Sequence, residues 1–390
     1  MKRDWIKPSI LVVALINILF MIISGITYPV IPLYLVGTEV GVLLTSIVVT
    51  LSSLVGFVFQ IIWGNISDRV NRRREFIILG GFIMSLCYFS AAIYSNNTLL
   101  MCTLYILAGI GGAAVFTPSS ALMADICSRE NIGRAMGLFW AGGSFGWALP
   151  LVFAGTLLEK YGVKSIFLIS GLISLCIGII GIAMRKVDVS RDRISSNVKP
   201  VPWAVVIRPR FLLLYLSTLV FYLGDVVKNI YVPQFHAYEL KLGEARATAI
   251  LSTASWAEIP LLLLFGFLVD RMGSWTIFNF SLLASAIYMM ANVFVSNIIT
   301  AVIVMVFYGV VWASFSSSSS AIAVELSNEE EKGTALGMIN ANFSLANIVG
   351  PPLFGYIIKR LGYRACFASM AVMLTSVAIT TTIAIKQRIK

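Results

Sequence analysis

Residues 64–74 read Gly64-Asn65-Ile66-Ser67-Asp68-Arg69-Val70-Asn71-Arg72-Arg73-Arg74, a charged turn wedged between two long apolar runs. A weaker copy, Gly266-Phe267-Leu268-Val269-Asp270-Arg271-Met272-Gly273, recurs half a chain later. Charged hairpins are expensive to place in an otherwise apolar chain. Two of them, spaced this way, point to a membrane protein made of two related halves.

The composition agrees. Hydrophobic residues make up 58% of the 390 and charged residues 12%, with a mean hydropathy of +0.90. A soluble domain carries about 25% charged residues, and water would not tolerate this much apolar surface. Apolar stretches fall near 9–35, 40–63, 76–95, 99–124, 135–158, 164–184, 207–237, 246–269, 275–296, 298–324, 335–358 and 364–385. Each approaches the ~20 residues that a helix needs to cross the hydrocarbon. The expected fold is therefore all-α and integral to the membrane, with twelve transmembrane helices in two pseudo-symmetric six-helix bundles.

The net charge of +11 is explained by topology. With the N-terminus inside, about 21 of the 29 Lys and Arg lie in cytoplasmic segments, as the positive-inside rule requires. This predicts a multi-pass protein of the cell membrane with both termini cytoplasmic. Anionic membrane lipid is a natural partner for those segments, whereas nucleic acid is not, because no basic, aromatic-laced soluble module exists. The first apolar run is too long for a secretory signal and shows no small-residue cleavage site, so it reads as the first span. Cys87, Cys102, Cys127, Cys176 and Cys366 are scattered, with no CxxC pair and no metal-ligand spacing. Free thiols are expected, with no metal and no cofactor.

The chain also repeats itself. Residues 109–167 align with 309–367 without a gap: Gly109 meets Gly309, Ser119-Ser120-Ala121 meets Ser319-Ser320-Ala321, and Asp125 meets Glu325. Further on, Gly133, Gly155, Gly162 and Phe167 meet Gly333, Gly355, Gly362 and Phe367. Small residues alone would be weak evidence, since membrane helices favour them for close packing; the constant offset carries the weight. The polar stretch Arg185–Pro202 is the natural linker. The expected division is 1–184 for the first bundle, 185–206 for a cytoplasmic linker and 207–390 for the second. Two such halves describe an alternating-access carrier.

These features resemble the major facilitator superfamily, whose signature between spans two and three has the form G-x-x-x-D-R-x-G-R-R. Gly64, Asp68, Arg69, Arg72 and Arg73 fit it, with Asn71 at the last glycine. The second copy keeps Gly266, Asp270, Arg271 and Gly273, but Ser274 and Trp275 replace the basic pair. The resemblance implies a cytoplasmic gate built from Gly64, Asp68, Arg69, Arg72, Asp125, Asp270 and Arg271. In it Asp68 faces the start of span eleven, after Gly333-Thr334, and Arg72 pairs with Asp125 at the end of span four. Helix N-termini carry the partial positive charge that such an aspartate needs. Arg73 and Arg74 are expected to be interfacial charges that set topology.

Away from the ends of the spans, charge is confined to Asp225 and Lys228 in span seven and Glu258 in span eight. A charge at mid-membrane costs at least ~2.5–3.5 kcal/mol, so it is seldom idle. Asp225 and Lys228 are three apart, on one helix face with Tyr222 and Asn229. Two roles are open: a self-neutralising pair that helps the span insert, or a cavity-lining face. Glu258 has no cation within a helical turn. It must find a partner elsewhere, face water or stay protonated; it and Asp225 are the candidates to carry a coupling proton, against a structural glutamate beside Pro260. His236, the one histidine, is expected at the surface. Trp140 and Trp147, and Asn340, Asn342 and Asn347, are candidates for substrate contact or for packing. Pro29, Pro32 and Pro233 are expected either to kink their helices or to end them.

Two departures from the antiporter branches of that family stand out. Tyr105 occupies the place of their span-four arginine, and residues 142–150 are a degenerate form of their span-five motif. The expected function is a secondary active transporter, acting as a monomer on a small organic, amphipathic solute, with proton-coupled efflux first. An uptake carrier for a sugar or organic acid stands second. A transporter-like sensor or a membrane-embedded lipid enzyme stands further off: no P-loop and no nucleophile–base set occur, so no enzymatic activity is expected.

Overall fold

The computed structural model describes residues 8–70, 72–126, 132–184, 208–327 and 332–386. They are almost wholly helical. Helices α1 (Pro8–Val36), α2 (Gly41–Val70), α3 (Arg73–Ile93) and α4 (Thr98–Ile126) come first. A helical run over Ile132–Ala183 breaks at Gly162, where φ is 70° and ψ 177°. That glycine divides it into α5 (132–161) and α6 (163–183). Then follow α7 (Pro209–Glu239), α8 (Glu244–Met272), α9 (Ser274–Phe294), α10 (Ile298–Glu325), α11 (Lys332–Leu361) and α12 (Tyr363–Lys386). Twelve helices thus lie among the described residues.

Among the described residues, ten stretches have the length and apolarity to cross a membrane. One of them, Leu138–Ala183, contains the Gly162 break and so most of α5 and all of α6. Helix α11 falls outside the ten, because Asn340, Asn342 and Asn347 lower its hydropathy. Side chains such as Leu86, Leu263 and Phe294, 70%, 82% and 73% exposed, form apolar outer faces that suit lipid.

Two compact units emerge. The first takes in the described parts of Met1–Thr38 and Val48–Ser196, the second those of Glu39–Ile47 and Asn197–Lys390, so the opening turns of α2 go with the second unit. The linker expected at 185–206 lies outside the described residues.

The internal pairing of each unit follows one plan. In the first, α1 packs on α5, and α3 packs on α4 and α6. In the second, α7 packs on α11, and α9 packs on α10 and α12. The two α1–α5 backbones nearly touch: a Cβ on Gly25 would sit 2.6 Å from the Trp147 carbonyl oxygen, and one on Gly146 2.5 Å from that of Ile18. The glycines of 142–150 are therefore packing residues, consistent with the use of small residues where membrane helices close up. The break at Gly162 (φ 70°) has its counterpart at Gly362 (φ 85°), a backbone setting that glycine adopts without penalty.

The prolines end nothing. Helix α1 runs on past Pro29 and Pro32 to Val36. Pro233 lies between two π-helical turns of α7, Val227–Tyr231 and Phe235–Glu239. A proline ring clashes with the carbonyl one turn back and offers it no N–H. Widening the turn relieves that clash, and such turns recur at functional sites.

Candidate functional site

The charges of α7 sit at its first π turn, Lys228 inside it and Asp225 two residues before it. Asp225 and Lys228 are buried, at 4% and 6% exposure. The Asp225 carboxylate is held three ways. Tyr308 on α10 donates its hydroxyl to Oδ1 at 2.6 Å, Asn229 donates Nδ2–H to Oδ2 at 2.9 Å, and the Lys228 ammonium lies 3.6 Å from Oδ1. Lys228 also stands over the Tyr308 ring, 4.5 Å from its centroid, where the face of the ring attracts a cation. Tyr288 on α9 packs edge-on against Tyr308 at 4.7 Å. Glu258, half-buried on α8, lies within electrostatic reach of both Lys228 and Asp225. Two helices, α7 and α8, thus bring two acids and one base together, and α10 adds Tyr308. The charges nearest in influence to Glu258 thus come from α7 and not from its own helix, and among the described residues none forms an ion pair with it.

One turn away the same faces become aromatic. Tyr222, on the Asp225 face of α7, meets Trp312, Phe315 and Phe343 at ring distances of 6.3, 5.3 and 5.7 Å. Phe221 stacks on Phe315. Trp312 is one turn past Tyr308 on α10, so the ring wall continues directly from the charged cluster. Phe343 is 38% exposed, which leaves the wall an open rim.

Tyr308 was not singled out from the sequence, yet it is the strongest hydrogen-bond partner of Asp225. The usable signal was a hydroxyl-bearing ring in the otherwise apolar run before Gly309. His236 corrects the surface expectation. It is fully buried, and among the described residues neither ring nitrogen has a hydrogen-bond partner.

The remaining candidates scatter. Trp140 is 48% exposed and packs on Phe116 and Phe139 at 6.1 and 5.8 Å. Asn340 is exposed on α11. Asn342 pins α11 to α7, donating to the Tyr215 carbonyl at 2.8 Å and the Thr218 hydroxyl at 2.7 Å. Asn347 bonds its own helix at Phe343.

At the charged hairpin, the Asp125 partner differs from expectation. Arg73, not Arg72, donates Nε–H to its carboxylate at 2.5 Å. Arg72 is an exposed residue just before α3. Arg74 bonds the Gly181 and Ile182 carbonyls at the end of α6, at 2.9 and 2.5 Å, so neither Arg73 nor Arg74 is a mere interfacial charge. In the second unit Ser274 donates to Glu325 at 2.7 Å. Gly64 lies within α2; Arg69, Asp270 and Arg271 are exposed. The side chains of Asp68 and Thr334 lie outside what the structure describes, and so does the expected contact of Asp68 with the start of α11 after Gly333-Thr334.

The comparisons with known proteins agree with this plan. The description "Major Facilitator Superfamily" matches residues 13–226 and, a second time, 214–388. The chain belongs to that superfamily and is a multi-pass membrane transporter. It is 25% identical over 393 residues to multidrug resistance protein 2 of Bacillus subtilis (strain 168), across 96% of this chain and 95% of that one. It is 24% identical over 297 residues to sugar efflux transporter A of Dickeya chrysanthemi, across 73% and 72%. Among solved structures it resembles the nucleoside transporter NupG (D323A mutant), with a TM-score of 0.82, 14% identity and coverage of 96% and 99%. That last likeness speaks for the fold alone.

Proposed function

We propose that the chain is a proton-coupled efflux carrier for small amphipathic organic solutes, working by alternating access. The observation that carries this reading is the buried cluster of Asp225, Lys228 and Tyr308 with Glu258 beside it. Charges this deep in a membrane protein are costly, and they concentrate on substrate and ion routes. Asp225 is already occupied by Tyr308, Asn229 and Lys228. Glu258 has no ion pair among the described residues, so it is the acid free to take up and release a proton. The aromatic wall beside the cluster suits a solute with a ring or a hydrocarbon body. The names of two relatives, one for multidrug resistance and one for sugar efflux, favour export.

The hairpin residues Gly64, Asp68, Arg69, Arg72, Asp125, Asp270 and Arg271 serve this carrier as its gate, with Arg73 added as the partner of Asp125. The deciding experiment is Glu258→Gln in liposomes. Proton-driven flux should vanish while counterflow exchange continues. Loss of both, or of neither, removes Glu258 from the coupling role.

A further inference from the structure

We infer that Lys228 is the anchor for a carboxylate, and that the site takes aromatic monoanions: a ring on the Tyr222–Trp312–Phe343 wall and its acid group on the Lys228 ammonium. This rests on the carrier reading and names its substrate class.

The argument is one of unequal satisfaction. An ammonium has three N–H donors and no acceptor, and a carboxylate accepts about four hydrogen bonds. Asp225 already accepts one hydrogen bond on each carboxylate oxygen, from Tyr308 at 2.6 Å and from Asn229 at 2.9 Å. Lys228 has no comparable provision. Its nearest carboxylate oxygen is 3.6 Å away, beyond ordinary hydrogen-bond length, and its other neighbour is the Tyr308 ring face at 4.5 Å. Among the described residues it makes no hydrogen bond, and Glu258 is not within 4 Å of it. The group in this cluster that is short of a partner is therefore the cation, and it is fixed in place by a pair of neighbours that leave its donors unused.

Position supplies the rest. Tyr222 precedes Asp225 by one turn on α7, and Trp312 follows Tyr308 by one turn on α10. The ring-lined surface thus begins next to the ammonium, which is the layout that an arylcarboxylate presents in reverse. Phosphate is a poor fit, because it calls for a cluster of basic groups, and here a single lysine shares the site with two acids. Glu258 acts against the anion: its charge reaches Lys228 and Asp225, so the site favours a carboxylate most when Glu258 is neutral.

The test uses three probes of one shape on the purified full chain in lipid nanodiscs: 2-naphthoate, 2-naphthylmethanol and 2-naphthylmethylammonium, with binding measured by calorimetry. The wild type should bind the naphthoate most tightly. Lys228→Gln should weaken it by about 10- to 100-fold, the worth of a charge-assisted hydrogen bond, and leave the alcohol within about twofold. Lys228→Arg should keep the preference, and Glu258→Gln should sharpen it. Should Lys228→Gln fail to fold, the neutral pair Asp225→Asn with Lys228→Gln is to bind the alcohol and lose the naphthoate preference. The inference is overturned if the ammonium probe binds as tightly as the naphthoate, if the naphthoate does not bind, or if Lys228→Gln leaves its affinity unchanged. Counterflow in liposomes separates the two claims. Binding of naphthoate without counterflow of any probe defeats the carrier and spares the anchor; counterflow of the amine alone does the opposite.

Discussion

Removing Asp225 alone should damage the protein more than removing Asp225 and Lys228 together. At 3.6 Å and an effective dielectric of ~20, the Coulomb attraction is about 4–5 kcal/mol. Asp225→Asn leaves the ammonium buried over the Tyr308 ring, an interaction of ~2 kcal/mol at most, with no ion pair to Glu258 among the described residues to replace the lost one. The uncompensated charge should then cost about 3–5 kcal/mol. Lys228→Gln is milder, about 2–3 kcal/mol, because Tyr308 and Asn229 still hydrogen-bond the carboxylate and such bonds to charged groups are worth ~1.5–3 kcal/mol. The double substitution leaves no ion to bury and should be more stable than Asp225→Asn alone. The assay is thermal denaturation of the purified chain, with all four proteins in the same detergent and at the same heating rate, because unfolding of such proteins is often irreversible. The expected order of midpoints is wild type, then Lys228→Gln, with Asp225→Asn lowest and the double variant above it. Additive losses, which would place the double variant below both singles, would refute the coupling and with it the idea that the two charges are held as a unit.

Three further outcomes follow from contacts elsewhere. Tyr308→Phe removes the hydroxyl that Asp225 accepts at 2.6 Å; it should cost ~0.6–1.7 kcal/mol, the range for polar bonds between membrane helices, and slow transport, and a variant with unchanged flux and midpoint would detach Tyr308 from the site. His236→Phe should be neutral or stabilising by thermal denaturation, because it replaces a fully buried ring with unpartnered nitrogens and orphaned polar atoms cost ~1–3 kcal/mol; a loss above ~2 kcal/mol would mean that water satisfies the imidazole. Gly146→Val would force a Cβ to within 2.5 Å of the Ile18 carbonyl oxygen, so it should cost ~1–3 kcal/mol or more through displacement of α1 from α5, whereas Gly337→Ala, with open space around it, should leave the midpoint in place.

What the sequence could convey, and what it withheld, follows from helix register. Apolar length located the spans, and the offset of 200 located the repeat, because both survive small local changes. The turns at Gly162 and Gly362 are the same turn twice, since only glycine takes that φ cheaply. The partner of Asp125 could not be read this way. The copies of the signature align Arg72 with Ser274, yet α3 starts three places after Val70 closes α2, whereas α9 starts two places after Met272 closes α8. Counted from the helix start, Arg73 and Ser274 hold the same first position, and each meets the acid that closes the neighbouring helix, Asp125 or Glu325. The extra residue moves the role by one place, which no residue-by-residue alignment of the motif can register. His236 fell to the same cause: it lies beyond one π turn and inside another, and each π turn breaks the 3.6-residue count used to assign faces. Tyr308 was missed for a different reason. Charge marked the polar positions of the spans, and a phenol has no charge, though its hydroxyl is the group that fixes Asp225 where Lys228 can reach it.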